Sequence, residues 1–197
     1  MIEFRSTLDS SPLFRAIDEP YATDFLAGRI RLTEFREYRK KEYGARSDAT
    51  KHHGEIIIRG ADGVVVHYGL EPVWPVYVLC MYANGGRPDA FASCGLRIDD
   101  PNQLARDLAG AVSAELPKQH APMLLLAGPA EYDKGEAIVD ERPDPERRTW
   151  IATFQKPQCY AIDRESRIAI AARGAASMAP THINVDFGRA LDYVRRL

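Results

Sequence analysis

Cysteine is scarce in this chain, long apolar runs are missing, and neither sign of charge dominates. The three cysteines, Cys80, Cys94 and Cys159, are spread over 197 residues without a CxxC or Cys/His spacing. That disfavours a zinc module and a disulfide framework, and reads as reduced, mostly buried thiols of a cytosolic protein. No stretch approaches the roughly 20 apolar residues that a membrane span requires. The opening MIEFRSTLDSSPLFRA carries early acids in place of a signal-peptide core. The expectation is a soluble cytoplasmic protein with no membrane partner. Lys and Arg total 26 against 28 Asp and Glu, a formal charge of -2, which disfavours a general nucleic-acid coat. There is no GxGxxG after a strand, no GxxxxGK[ST] and no GxSxG. A Rossmann site, a P-loop and a hydrolase elbow therefore have no sequence support, although Ser93 and His120 supply residue types a hydrolase would use.

What is present is globular: 45% apolar and 27% charged residues, enough to bury one core. PLFRAI reads as a short strand. EPYATDFLAG follows as a helix with Asp18 as N-cap, Tyr21, Phe25 and Leu26 on its apolar side, and Gly28 where a left-handed cap is wanted. RIRLTEF begins extended and runs into the charged EFREYRKKEYGARSDATKHHG. EIIIRGADGVVVHYG has the form of a hairpin, and PVWPVYVLCMYA and FASCGLRI of strands. DPNQLARDLAGAV is the clearest helix: Asp100 as N-cap, Pro101 at the first position, Gln103 completing a capping box, and Leu104, Leu108 and Val112 on one side. MLLLAGPAEY reads as a weak strand, DERPDPERR as a connector, TWIATFQ and AIDRESRIAIAA as paired strands, and FGRALDYVRRL as a docking helix or frayed tail. The pattern predicts one compact α+β domain over 1–197, with a mixed or antiparallel sheet and two to three short helices.

Strand alternation puts Asp163, Glu165 and Arg167 on one side of an otherwise apolar segment. Charge in a core strand is costly unless it is paired or used. Carboxylates two apart on a strand lie roughly 6 to 7 Å apart at the backbone, a spacing suited to a pair in which one stabilises positive charge while the other handles a proton. The alternative is an ordinary cross-strand ion pair. Arg15, in LFRAI, is either an edge residue snorkelling to water or a phosphate clamp in a cleft. His52 and His53 are adjacent and diverge, which disfavours a metal site using both.

The succession YATDFLAGRIRLTEFREYRKKE, RSDATKHHGE, YVLCMYA, GLRIDDPNQLARDL and FQKPQCYAIDRESRI resembles a broad group of bacterial and phage proteins of unknown function. Its members carry a late strand reading K-x-x-x-Y-x-x-[QE]-x-E-[YW]-R. In this chain Asp163 takes the first acid or amide position of that strand, and Ser166 takes the aromatic one. The late acidic strand with an early strand Arg is in turn similar to ADP-ribosyltransferases, which cleave the nicotinamide-ribose bond of NAD. That resemblance implies Glu165 as the catalytic carboxylate, Asp163 as the acceptor-orienting residue and Arg15 as the NAD-holding cation. Tyr38, Arg46 and Tyr82 would complete the ligand-binding set, with NAD as substrate and no metal. It implies a toxin or anti-phage effector acting on a small molecule or a macromolecular acceptor. The alternative is a non-catalytic phage or defence module that recognises a nucleotide or protein partner through RKKEYGARSD. A third reading is a nuclease using Asp48, His53 and Glu55. Nothing in the sequence sets the oligomeric state.

Overall fold

The computed structural model describes residues 2–37, 55–59, 65–69, 71–83, 92–115, 123–132, 137–139, 144–156, 161–162, 164–173 and 180–197. It is an α+β domain. A nine-stranded sheet contains β1 (Ile2–Ser6), β2 (Leu13–Ile17), β3 (Arg29–Glu34), β6 (Val76–Tyr82), β7 (Cys94–Ile98), β8 (Met123–Pro129), β12 (Glu165–Ala172), β13 (His182–Asp186) and β14 (Val194–Arg196). The hairpin β4 (Glu55–Arg59) and β5 (Val65–Gly69) joins β10 (Ala137–Val139) in a three-stranded sheet. The short strands β9 (Glu131–Tyr132) and β11 (Gln155–Lys156) pair with each other. The helices include α1 (Glu19–Leu26), α2 (Pro101–Glu115) and α3 (Pro145–Phe154), and residues 35–37 are helical as well.

The main sheet runs β1-β8-β12-β6 and then forks. Toward its C-terminal end β6 pairs with β2 through Phe14 and Tyr82, and β2 continues to β7 and β14. Toward its N-terminal end it pairs with β3 through Thr33–Val78 and Glu34–Tyr77, and β3 continues to β13. All pairings in this sheet are antiparallel except β1 with β8. Helix α1 connects the two branches, leaving β2 at Ile17 and delivering the chain to β3 at Arg29.

Alternation sorts the sheet's side chains into two cores. One face carries Leu79, Met81, Leu125, Ile168 and Ile170 against Phe25 of α1 and Leu104, Leu108 and Val112 of α2. The other carries Val78, Cys80, Leu126, Ala169 and Ala171 against Phe154 of α3, with Trp150 stacked on Phe154 at 4.0 Å between ring centroids. The expected apolar stripe of α2 is fully buried, and the Asp100 carboxylate accepts the Gln103 N–H at 2.8 Å. Gln103 turns its side chain to Asp107 and Arg106, so the reciprocal half of the capping box does not form. Gly28 has φ +83, and a Cβ there would meet the Arg189 carbonyl oxygen at 2.0 Å.

Several sequence expectations are corrected. TWIATFQ is not a strand: residues 149–154 are helical, entered from Asp144, whose carboxylate accepts the Glu146 and Arg147 N–H groups. Strand β12 pairs instead with β6 and β8. The C-terminal segment forms edge strand β14 on β7, not a helix. Asp18 stands at the N-cap of α1, but its side chain accepts from the Ser93 N–H and makes no cap bond. Tyr21 is 51% exposed and not part of that helix's buried side.

Candidate functional site: the sheet fork and the buried charge cluster

The two singled-out strands carry their charges to different places. Glu165 opens β12 after Arg164, whose φ of 42 is left-handed, and its N–H donates to the Tyr132 hydroxyl at 2.8 Å. Its side chain is 1% exposed. Lys156 Nζ meets Oε2 and Arg167 Nε meets Oε1, each at 2.5 Å. Arg167 also donates to the Thr153 carbonyl and stacks over Phe35, 5.6 Å from the ring centroid. Burial alone would push the Glu165 carboxyl up, but Arg167 and then Lys156 outweigh it and hold the group down at about 2. The carboxylate is therefore ionised, doubly paired and enclosed, which answers the cost of a charged core strand by pairing.

Tyr82 lies opposite Glu165 on β6 and opposite Phe14 on β2. Directly opposed residues share a face, so Glu165, Tyr82 and Phe14 are on one side of the sheet and Arg15 is on the other. The structure thus brings Glu165 beside Tyr82 and separates both from Arg15. Asp163, Tyr38, Arg46, Asp48 and His53 lie outside the described residues, as does the whole RKKEYGARSD segment. Of Glu55 only the backbone is described.

Arg15 fills the fork. Because β2 meets β6 only at Tyr82 and β3 meets it only at Tyr77 and Val78, the intervening edge at 79–81 has no strand partner on that side among the described residues. A buried carbonyl there needs a donor. Arg15 supplies one, with Nη1 at 2.6 Å from the Cys80 carbonyl oxygen, while its Nε is buried without a partner. Around it lies a cavity of about 530 Å³ lined from both branches and α1, including Arg15, Tyr21, Asp24, Arg29, Arg31 and Asn184. Arg29 is paired with Asp24 at 2.6 Å. Arg31 is exposed and has no hydrogen-bond or ion-pair partner among the described residues. Three guanidinium groups against one carboxylate make the cavity cationic. An exposed tyrosine ring, with Thr33 and Asn184 as neutral hydrogen-bonding groups, completes a site of ligand size.

The sequence pointed to Arg15 but not to its companions. The signal was in RIRLT, where alternation aligns Arg29, Arg31 and Thr33, and β13 pairing then sets Asn184 opposite Arg31. Neither pairing partner is local. A second cavity of about 650 Å³, lined by Arg5, Leu126, Asp144, Glu146, Arg147 and Trp150 among others, lies between β1 and the start of α3. Glu165 lines neither cavity. Among the described residues, no three His, Cys, Asp or Glu side chains are grouped to hold a metal, and no helix is long and apolar enough to cross a membrane. Comparison with known families, with curated proteins and with solved structures finds no match to this chain.

Proposed function

We propose that this protein is a binding module for a phosphate-bearing, nucleotide-type small molecule, held in the cavity of the sheet fork. The observation that supports this reading is the Arg15 guanidinium, anchored on the Cys80 carbonyl with one nitrogen buried and unpartnered, in a cavity shared with Arg31, which has no partner among the described residues. A planar guanidinium already fixed at one end is preorganised to receive phosphate oxygens, and an exposed Tyr21 gives a base a ring to stack on. Recognition is favoured over NAD cleavage because the latter needs a carboxylate facing the same ligand as Arg15. Glu165 is enclosed with both oxygens engaged and does not line the cavity, and Asp24, within the cavity, is taken by Arg29.

Calorimetric titration with AMP, ATP, NAD and inorganic phosphate tests it. At least one nucleotide binds the wild type, and Arg31→Gln, at an exposed position without partners among the described residues, weakens that binding about tenfold, the value of a lost charge-assisted contact. Nicotinamide is not released from NAD. Failure of every phosphate-bearing probe to bind, or affinity unchanged in Arg31→Gln, would overturn the reading, and steady nicotinamide release would return the case to a transferase.

A further inference from the structure

Strand β1 is the outermost strand of the main sheet, pairing with β8 alone among the described residues. Its sequence is Ile2-Glu3-Phe4-Arg5-Ser6, and Phe4 is 38% exposed, one of few large apolar side chains in that state. The Thr7 N–H bonds the Ala127 carbonyl of β8 at 2.8 Å. Peptide groups alternate in direction along a strand. Those of Glu3 and Arg5 therefore turn toward β8, and those of Ile2, Phe4 and Ser6 turn outward, a row of donors and acceptors with no strand partner among the described residues. An edge of this kind is a template for another strand unless something blocks it.

We propose that the occupant is a second copy of this chain, paired antiparallel β1 to β1 about a two-fold axis through Phe4. Charge complementarity selects it. In that register Ile2 faces Ser6 of the second copy and Phe4 faces Phe4, and these are the positions whose peptide groups point outward and exchange hydrogen bonds. Glu3 faces Arg5 across the axis, twice, in the non-hydrogen-bonded pairs where cross-strand side chains approach most closely. Registers shifted by one residue set outward groups against inward ones, and a shift by two breaks the Glu–Arg match. A parallel copy is excluded by the isologous symmetry of a closed pair. Within one chain Glu3 and Arg5 already sit 2.5 Å apart, with Glu146 and Arg173 extending the network, so both carboxylate and guanidinium are held on the face where the second copy needs them. The two phenylalanine rings meet on the opposite face, covering apolar surface that a single copy leaves in water. Five residues per copy make a small interface, and the association is reversible and concentration-dependent.

Sedimentation velocity over a concentration series from low micromolar to millimolar, on the full chain, tests this. The wild type passes from one copy to two. Glu3→Arg sets like charges opposite each other at two places and weakens association at least about tenfold, from two cross-strand pairs changed from attraction to repulsion. Arg5→Glu does the same, and the double exchange Glu3→Arg with Arg5→Glu restores it. Hydrogen exchange on the wild type needs no variant: the Phe4 and Ser6 amides gain protection with concentration while the Glu3 and Arg5 amides do not change. A wild type that stays single throughout overturns the proposal. So do a folded Glu3→Arg chain that associates normally, a folded double exchange that fails to associate, and amide protection indifferent to concentration.

Discussion

Arg15 and Glu165 stand on opposite faces of one sheet, set there by Tyr82, which pairs with Phe14 on one side and Glu165 on the other. Both residues come from strands, both are charged in apolar surroundings, and the same rule governs both: a polar group withdrawn from water must find a partner. The solutions differ. Glu165 closes a cluster with Lys156 and Arg167, and nothing of its carboxylate is left to offer. Arg15 spends one nitrogen on a backbone carbonyl that the forked sheet leaves unpaired, and keeps the rest of its guanidinium at a cavity. The first arrangement holds the fold and the second leaves capacity for a ligand.

Glu165→Gln removes a carboxylate that is ion-paired to two buried cations, Lys156 and Arg167. Breaking a buried pair by deleting one partner costs about 3–5 kcal/mol, so urea denaturation should show an unfolding free energy lowered by that much, seen as a lower midpoint at an unchanged m-value. A loss below about 1 kcal/mol, the worth of a surface pair, would mean that water reaches the cluster. Ligand binding in the fork should survive in whatever fraction of the variant remains folded, since Glu165 does not line the fork cavity.

The same carboxylate sets an acid limit on stability. Its ordinary value of 4.5 falls to about 2 in the folded chain. A depressed carboxyl contributes stability that is complete above the unfolded value and is lost as pH falls toward the folded one. Stability should therefore decline between about pH 5 and pH 2, by about 3 kcal/mol from this group if the cluster is intact. Denaturation curves across that window, compared with Glu165→Gln, read the contribution as the difference in slope, and equal slopes would contradict it.

Much of this was legible in local sequence. Asp100-Pro101 announced α2, Gly28 ended α1 in a left-handed turn, and the apolar run of β6 marked a strand buried on both faces. Yet Asp144-Pro145 carries the same start signal, and the sequence after it reads as a strand. Thr149, Ile151 and Thr153 are β-branched at period two, which imitates a strand. In the fold, the hydroxyls of Thr149 and Thr153 each donate to the carbonyl four residues earlier, and residues on several sides of the helix are buried, so no helical stripe could be seen. The clue at Glu165 was sound as physics, since a charged core strand must be paired or used; its partner Lys156 comes from a strand the sequence did not separate from TWIATFQ. The fork was beyond reach, because it depends on one residue pair between β2 and β6 and two between β3 and β6, all non-local.

Three glycines separate conformational cost from steric cost. Gly28→Ala faces both a positive φ and a backbone oxygen 2.0 Å from the new Cβ, and should lose well over 2 kcal/mol, the upper end of the left-handed penalty alone. Gly188→Ala, at φ +65 with nothing within 4 Å, should lose about 1–2 kcal/mol. Gly110→Ala, exposed within α2 and also clear of neighbours, should gain about 0.5–1 kcal/mol from helix propensity. Thermal midpoints that failed to rank in this order would show that α1 and the segment from 187 to 189 do not pack as closely as described.

Arg15 couples the fork's stability to its capacity for a ligand, and two substitutions divide the roles. Arg15→Leu leaves the Cys80 carbonyl without its donor, at a cost of about 1–3 kcal/mol for an unsatisfied buried acceptor, and removes the cation from the cavity. Arg15→Lys can still reach the carbonyl with one ammonium proton, so it should recover most of the stability. It cannot present the planar fork of donors that a phosphate takes in two places, so nucleotide affinity should stay low in both variants. Stability restored without affinity is thus the expected signature of a guanidinium that does both jobs. Affinity restored by lysine would reduce Arg15 to a point charge, and affinity untouched in either variant would move the ligand out of the fork.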